Sequence, residues 1–262
     1  MIPKDHVVQI YKFGEQRWID KMIEGELSFS CAGAFINQAK SSGNLVQGDI
    51  YEGIFARLNV NDSRISKMKK KLGSDLEILE YKNKVLLRRK SAKLKPIFCF
   101  YRINVENLLN ENDINKIGTQ ILKHKFNDLM YNGFTNSLNA KNAIREESRF
   151  TQLSIQTQEF ISRIKIAMAV KRLGYKMGNI NYKEFEKDTF FIEPTNEYNE
   201  LFYKFPQYKY QNEGRICLKD LKFDTPCQRY NLEVKPFDES AYKKSYVPIE
   251  MNFCAVVKKK KK

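Results

Sequence analysis

Apolar positions near the start of the chain come in short runs punctuated by glycine. Val7 to Phe13 reads as a buried strand, and after Gly14 the residues Trp18, Ile19, Met22 and Ile23 fall at helical spacing, with Gly25 as the stop. Leu27 to Ser30 is a second short strand, Ala34 to Lys40 a turn of helix, and Ser41 to Asn44 a loop. The stretch GDIYEG, residues 48–53, leads into a strand from Ile54 to Val60. Asp62 or Ser63 is placed to cap a helix from Arg64 to Leu72, ended by Gly73, with Ile65, Met68 and Leu72 on one face. Leu76 to Tyr81 and Val85 to Arg89 then form a hairpin across the tight Lys82-Asn83-Lys84. Pro96 to Asn104, PIFCFYRIN, is the clearest buried strand.

The middle of the chain carries helical periods. Asp113 caps a predicted helix to about His124, with Ile114, Ile117 and Ile121 on one face, and 127–144 reads as helix or loop. Thr157 to Leu173 is a helix whose core face holds Phe160, Ile161, Ile164, Ala167 and Met168. Strands follow at Tyr175 to Tyr182, Tyr208 to Leu218, Tyr230 to Val234 and Tyr246 to Ala255, with a helical segment at Asn199 to Phe205. The pattern predicts a mixed α+β fold, one domain over residues 1–257 with a basic helix-hairpin inserted at 62–95.

Charge changes that picture. The chain of 262 residues has a net charge of +15, but from Arg64 to Lys95 twelve Lys or Arg face three acids, and Lys258 to Lys262 form a lysine tail, read as disordered. Outside these two segments the chain is close to neutral. Lys67, Lys69, Lys70, Lys71, Arg88, Arg89 and Lys90 are therefore candidate contacts to the phosphates of DNA or RNA, since each neutralised phosphate releases counterions. The competing reading is a solvated surface whose lysines protect a hairpin edge. The composition is otherwise that of a soluble protein, without a membrane span or signal-peptide layout, and predicts a cytoplasmic location. The five cysteines contain no C-x-x-C and only His6 and His124 are present, so no resident metal is expected.

Candidate chemistry sits in YKYQNEGRICL, residues 208–218. On a strand, the spacing of Gln211 and Glu213 puts both side chains on one face, with Arg215 following on the Glu213 side. Burying an unpaired carboxylate costs several kcal/mol, so Glu213 either has a defined role or is held in an ion pair with Arg215 or a nearby lysine. Asp49 and Glu52, three apart, hold a metal or a basic loop, or cap a turn. Tyr203, Tyr208 and Tyr210 stack on bases or form a core-facing aromatic set.

Three separated motifs, IYKFG with Gly25 and ELSFS, then GDIYEG, then the Gln-x-Glu of YKYQNEGRICL, together resemble the ADP-ribosyltransferase-like superfamily. The layout is nearest to DarT-like toxins and related uncharacterised bacterial families. The resemblance covers about forty residues and implies a split mixed or antiparallel sheet with flanking helices. It further implies NAD as substrate and a setting in phage defence or a toxin–antitoxin conflict, while the basic hairpin and tail, independently, point to a nucleic acid as the acceptor. By that likeness Lys12 would contact a phosphate or ribose of NAD, and Ser28 and Ser30 would shape the nicotinamide-ribose pocket. Glu213 would be the catalytic glutamate, and Gln211 would orient the acceptor. The chain departs from the pattern in having Lys12 where the best-known members carry Arg or His, and Ser-Phe-Ser without a central Thr. Lys12 also fits an edge lysine, and the two serines fit the outward positions of an alternating strand. Two other functions stand beside the transferase: a non-catalytic nucleic-acid-binding protein, and a nuclease holding a divalent metal through Asp49, Glu52 and Glu213.

Overall fold

The fold is mixed α+β with largely antiparallel sheets, described from a computed structural model over residues 6–42, 48–108, 118–124, 149–183, 189–246 and 251–257. The chain forms two compact units, each assembled from separated segments: residues 1–24, 100–164 and 235–262 in the first, 25–99 and 165–234 in the second.

In the first unit, strand Val7–Glu15 pairs antiparallel with Phe150–Gln156 and, from Val7 opposite Asn104 to Tyr11 opposite Tyr101, with the second half of strand Pro96–Asn104. Tyr242–Ser245 adds to the far side of Phe150–Gln156. Alternation turns Tyr11 inward, where its ring lies near Phe13 and Tyr101, and Phe13 stacks with Phe150. Helix Gln16–Ile23 buries Ile19 and Met22 at the spacing its sequence predicts. The predicted helix ending near His124 is corrected: Gly118–His124 is a strand, paired residue for residue with Met251–Val257. Pairing along its whole length outweighs the spacing of Ile121 with earlier isoleucines, and β-branched Thr119 and Ile121 suit a pleated ribbon. The remainder of that helix, the segment at 127–144 and the lysine tail lie outside the described residues.

In the second unit, strand Glu26–Cys31 pairs with Tyr230–Glu233, and its end meets Pro96 and Ile97. A four-stranded sheet orders Phe190–Phe191, Ile54–Asn59, Lys84–Arg89 and Leu76–Tyr81. Helix Ser63–Leu72 packs Ile65 and Met68 against Phe55, Leu58, Leu76, Val85 and Leu87. Its start follows from Asp62, whose carboxylate accepts the Arg64 N–H at 2.9 Å. Its end follows from Gly73 at φ 52°. The basic hairpin is thus the middle and edge of a sheet with a core of its own.

Strand Glu213–Leu218 pairs with Tyr175–Asn179, and Asn181–Tyr182 runs parallel to Tyr203–Lys204. The predicted strand from Tyr208 is corrected to begin at Glu213, because Pro206–Gln211 is a 3-10 turn. Pro206 offers no N–H to a ladder, and Asn212 at φ 36°, ψ 51° breaks the extended run. Asn199–Phe202 is likewise a 3-10 turn, followed by the extended Tyr203–Lys204, where a helix to Phe205 was expected. No helix among the described residues is long and apolar enough to cross a membrane.

Candidate functional site

Glu213 opens its strand, and its amide donates to the Tyr182 hydroxyl at 2.8 Å. From there a buried network forms inside the second unit. Arg215, fully buried, donates from Nε and Nη2 to Glu213 Oε1 at 3.0 and 2.7 Å. The other edge of the same guanidinium takes Glu52, with Nη1 to Oε1 at 2.5 Å and Nη2 to Oε2 at 3.2 Å. Lys204 Nζ reaches Glu213 Oε2 at 2.6 Å and Gln211 Oε1 at 2.9 Å. Gln211 and Glu213 do converge, but through the Lys204 ammonium, since the turn at Asn212 removes the shared strand face on which they were expected.

The electrostatics follow from this saturation. Burial alone would raise the Glu213 carboxyl, but Arg215 and Lys204 overcome it and hold the group well below the ordinary carboxylate range. Burial also opposes the Lys204 charge, and Glu213 and Glu52 reverse that, keeping the ammonium protonated. The Cys99 thiol adds a further hydrogen bond to Glu213. Both carboxylate oxygens of Glu213 are therefore spoken for. The same cations neutralise Glu52, and no group of three His, Cys, Asp or Glu among the described residues could hold a metal ion.

Glu52 is presented by the turn Asp49–Gly53, whose last residue adopts φ 75°. Arg88 fastens this turn from beneath, donating from Nη1 to the carbonyls of Ile50 and Glu52, each at 3.1 Å, while Nε takes Glu77 at 2.8 Å. Arg89 is buried as well, bonded to Glu200 at 2.6 Å and to the Thr195 carbonyl at 2.8 Å. These two predicted phosphate contacts are corrected: both side chains are committed inside the unit, because the strand that carries them is covered on both faces.

The lysines differ. Lys67, Lys69, Lys70 and Lys90 are exposed, and none has an acidic partner among the described residues. Lys71 is also exposed but pairs with Glu193. On the helix, Lys67 and Lys70 point away from the core face of Ile65 and Met68, flanked by Lys69.

The residues matched to an NAD pocket fall in both units, Lys12 in the first and Ser28, Ser30, Gln211 and Glu213 in the second. Lys12 lies in the first unit, half-buried and opposite Leu153. Ser28 and Ser30 are the half-buried positions of an alternating strand whose Leu27, Phe29 and Cys31 are buried. Ser28 Oγ has no hydrogen-bond partner among the described residues and so makes none to Glu213.

Reading the sequence missed Arg57 and the rings beside it. Arg57 lies in the apolar strand IFARLN and is only 4% exposed, yet its Nε and Nη1 have no hydrogen-bond partner among the described residues. Its guanidinium sits 5.2 Å from the Tyr81 ring centroid. Tyr81 meets Tyr51 edge-on at 5.3 Å, and Tyr51 packs on Phe205 at 4.9 Å. The Tyr51 amide donates to Asp49 Oδ1 at 2.8 Å, leaving Asp49 Oδ2 buried without a hydrogen-bond partner among the described residues. The signal available in the sequence was a lone arginine inside a run of apolar residues. Compared with known proteins, the chain matches no family model, no curated protein and no solved structure.

Proposed function

We propose that the protein binds a nucleic acid, with the exposed face of helix Ser63–Leu72 making the electrostatic contact. The observation that carries this reading is the sorting of cations in the basic segment. Arg64, Lys71, Arg88, Arg89 and Lys93 pair with carboxylates, whereas Lys67, Lys69 and Lys70 stand exposed on one short helix without such partners. Lysines in a last helical turn also offset the helix dipole, which alone explains some of them. Lys67 lies before that turn. The test is titration of a labelled oligonucleotide at several salt concentrations. The Lys67→Gln, Lys69→Gln, Lys70→Gln triple variant is expected to lower the slope of log affinity against log salt by roughly 0.7–0.9 per lost phosphate contact. An unchanged slope rejects this surface.

A second reading is an NAD-consuming, ADP-ribosyltransferase-like enzyme acting on a nucleic-acid acceptor in the cytoplasm. It is favoured by the meeting of Gln211 and Glu213 at one ammonium group. In that reading the bond from the ribose to nicotinamide breaks with its electron pair leaving on nicotinamide. The acceptor bonds to the ribose carbon and releases a proton. Glu213 would stabilise the positive charge that develops, which requires Lys204 to give up Oε2. Incubation with NAD and an oligonucleotide, followed by mass measurement, tests it. Neither an added ADP-ribose nor released nicotinamide would reject the enzyme and leave the binding reading standing.

A further inference from the structure

A buried guanidinium with two bare N–H edges is an expensive thing to keep. Removing such a charge from water costs several kcal/mol unless an anion or a set of acceptors replaces the lost hydration. Every other buried arginine described above has acceptors: Arg215 has Glu52 and Glu213, Arg88 has Glu77 and two carbonyls, Arg89 has Glu200 and a carbonyl. Arg57 has the face of Tyr81, which supplies cation–π attraction but leaves Nε and Nη1 unmatched. A second cation converges on the same ring. Lys82 Nζ lies 5.6 Å from the Tyr81 centroid, and Lys82 is an exposed residue at the hairpin tip, held there at φ 53°. The rings of Tyr81 and Tyr51 are themselves only half-buried.

We propose that Arg57 and Lys82, gathered on the Tyr81 ring, seat one phosphate of a bound single strand, whose neighbouring base stacks on the half-exposed tyrosines. The chemistry matches group by group. A phosphate oxygen accepts a charge-assisted hydrogen bond from a guanidinium N–H, and Arg57 has two such donors to offer, on different sides of the group. The Lys82 ammonium adds charge from the solvent side. An aromatic pair beside the phosphate is the common platform for an unpaired base, and it tolerates any sequence. This inference rests on the nucleic-acid reading above and names the seat within it; the Lys67–Lys70 face would gather the strand, and Arg57 would fix it.

The test uses the full chain and a labelled single-stranded oligonucleotide, with Arg57→Met and Arg57→Lys compared with wild type. Arg57→Met is expected to weaken binding at least tenfold and to lower the salt slope by about 0.7, the value for one contact to a single strand. Its melting temperature without ligand is expected to stay level or rise, because an unsatisfied charge has been removed. Arg57→Lys is expected to recover part of the affinity. Unchanged affinity and slope in Arg57→Met, or a lowered melting temperature with an unchanged slope, overturns the seat and makes Arg57 a structural cation. If wild type binds no oligonucleotide, the nucleic-acid reading fails by itself. The seat is then read by the rise in melting temperature with a nucleoside monophosphate: a rise lost in Arg57→Met supports an anion seat, and no rise in wild type overturns it.

Discussion

Arg215 and Arg57 are both buried guanidiniums of the second unit, and their surroundings are opposite. Arg215 is bracketed by two carboxylates, with Lys204 closing the far side of one of them. Arg57 leans on a ring and leaves two donors bare. The first arrangement is finished without a ligand; the second is not. Polar residues in a hydrophobic strand are a signal of both, and only the partners tell them apart. Glu213, the residue that stood out most in the sequence, belongs to the finished arrangement.

The sharpest way to break this contrast is Arg215→Met. It leaves Glu52 and Glu213 facing each other with Lys204 alone, and is expected to cost about 3–5 kcal/mol in a urea unfolding measurement. A loss below about 1 kcal/mol would show that the network is not holding the strand.

Acidity separates two carboxylates of the same region. Asp49 is pushed up to about 6, first by burial and then by the charge of Glu52, against an ordinary value of 3.8. A group raised on folding stabilises fully below its unfolded value and stops doing so as pH rises through the folded one. The Asp49 contribution is therefore whole near pH 4 and gone above pH 6, worth up to about 3 kcal/mol. Asp49→Asn is accordingly expected to be more stable than wild type at pH 7.5 by up to that amount, with the gap closing at pH 4. Glu213 behaves in the reverse sense. Held low, it supports the fold at neutral pH, and that support is lost as pH falls below the ordinary carboxylate range. A wild-type profile unchanged by Asp49→Asn would remove Asp49 from the account.

Smaller effects sharpen the surface side of the contrast. Asp62→Ala removes the cap of the lysine helix and its pairing with Arg64, and is expected to cost about 1 kcal/mol, read by thermal unfolding. The triple glutamine variant at Lys67, Lys69 and Lys70 is expected to shift stability by less than about 0.5 kcal/mol, so that any loss of binding it shows is not a folding defect.

Much of the local structure was legible because its causes are local. The Asp62 cap, the Gly73 stop and the two-strand hairpin about Lys82 follow from residues within a few positions of each other. The fate of charged residues was not legible, because it depends on partners far along the chain. Arg88 and Arg89 look like part of a basic surface beside Lys90, yet their partners are at 50, 52, 77, 195 and 200. The Gln211 and Glu213 spacing suggested a strand face, but Pro206 and Asn212 impose a turn, and a lysine from the segment before that turn brings the two together. Gly118–His124 shows the same dependence, since its partner strand lies beyond residue 250.

The order in which the segments join has a consequence for biosynthesis. Phe29 lies opposite Tyr230, and Gln9 opposite Gln156 with Tyr242–Ser245 beyond it. A growing polypeptide emerging from the ribosome thus carries one edge of each early ribbon unmatched until the late ones are translated. Contacts so widely separated in sequence are slow to form. The protein completes its sheets only after most of it has been made.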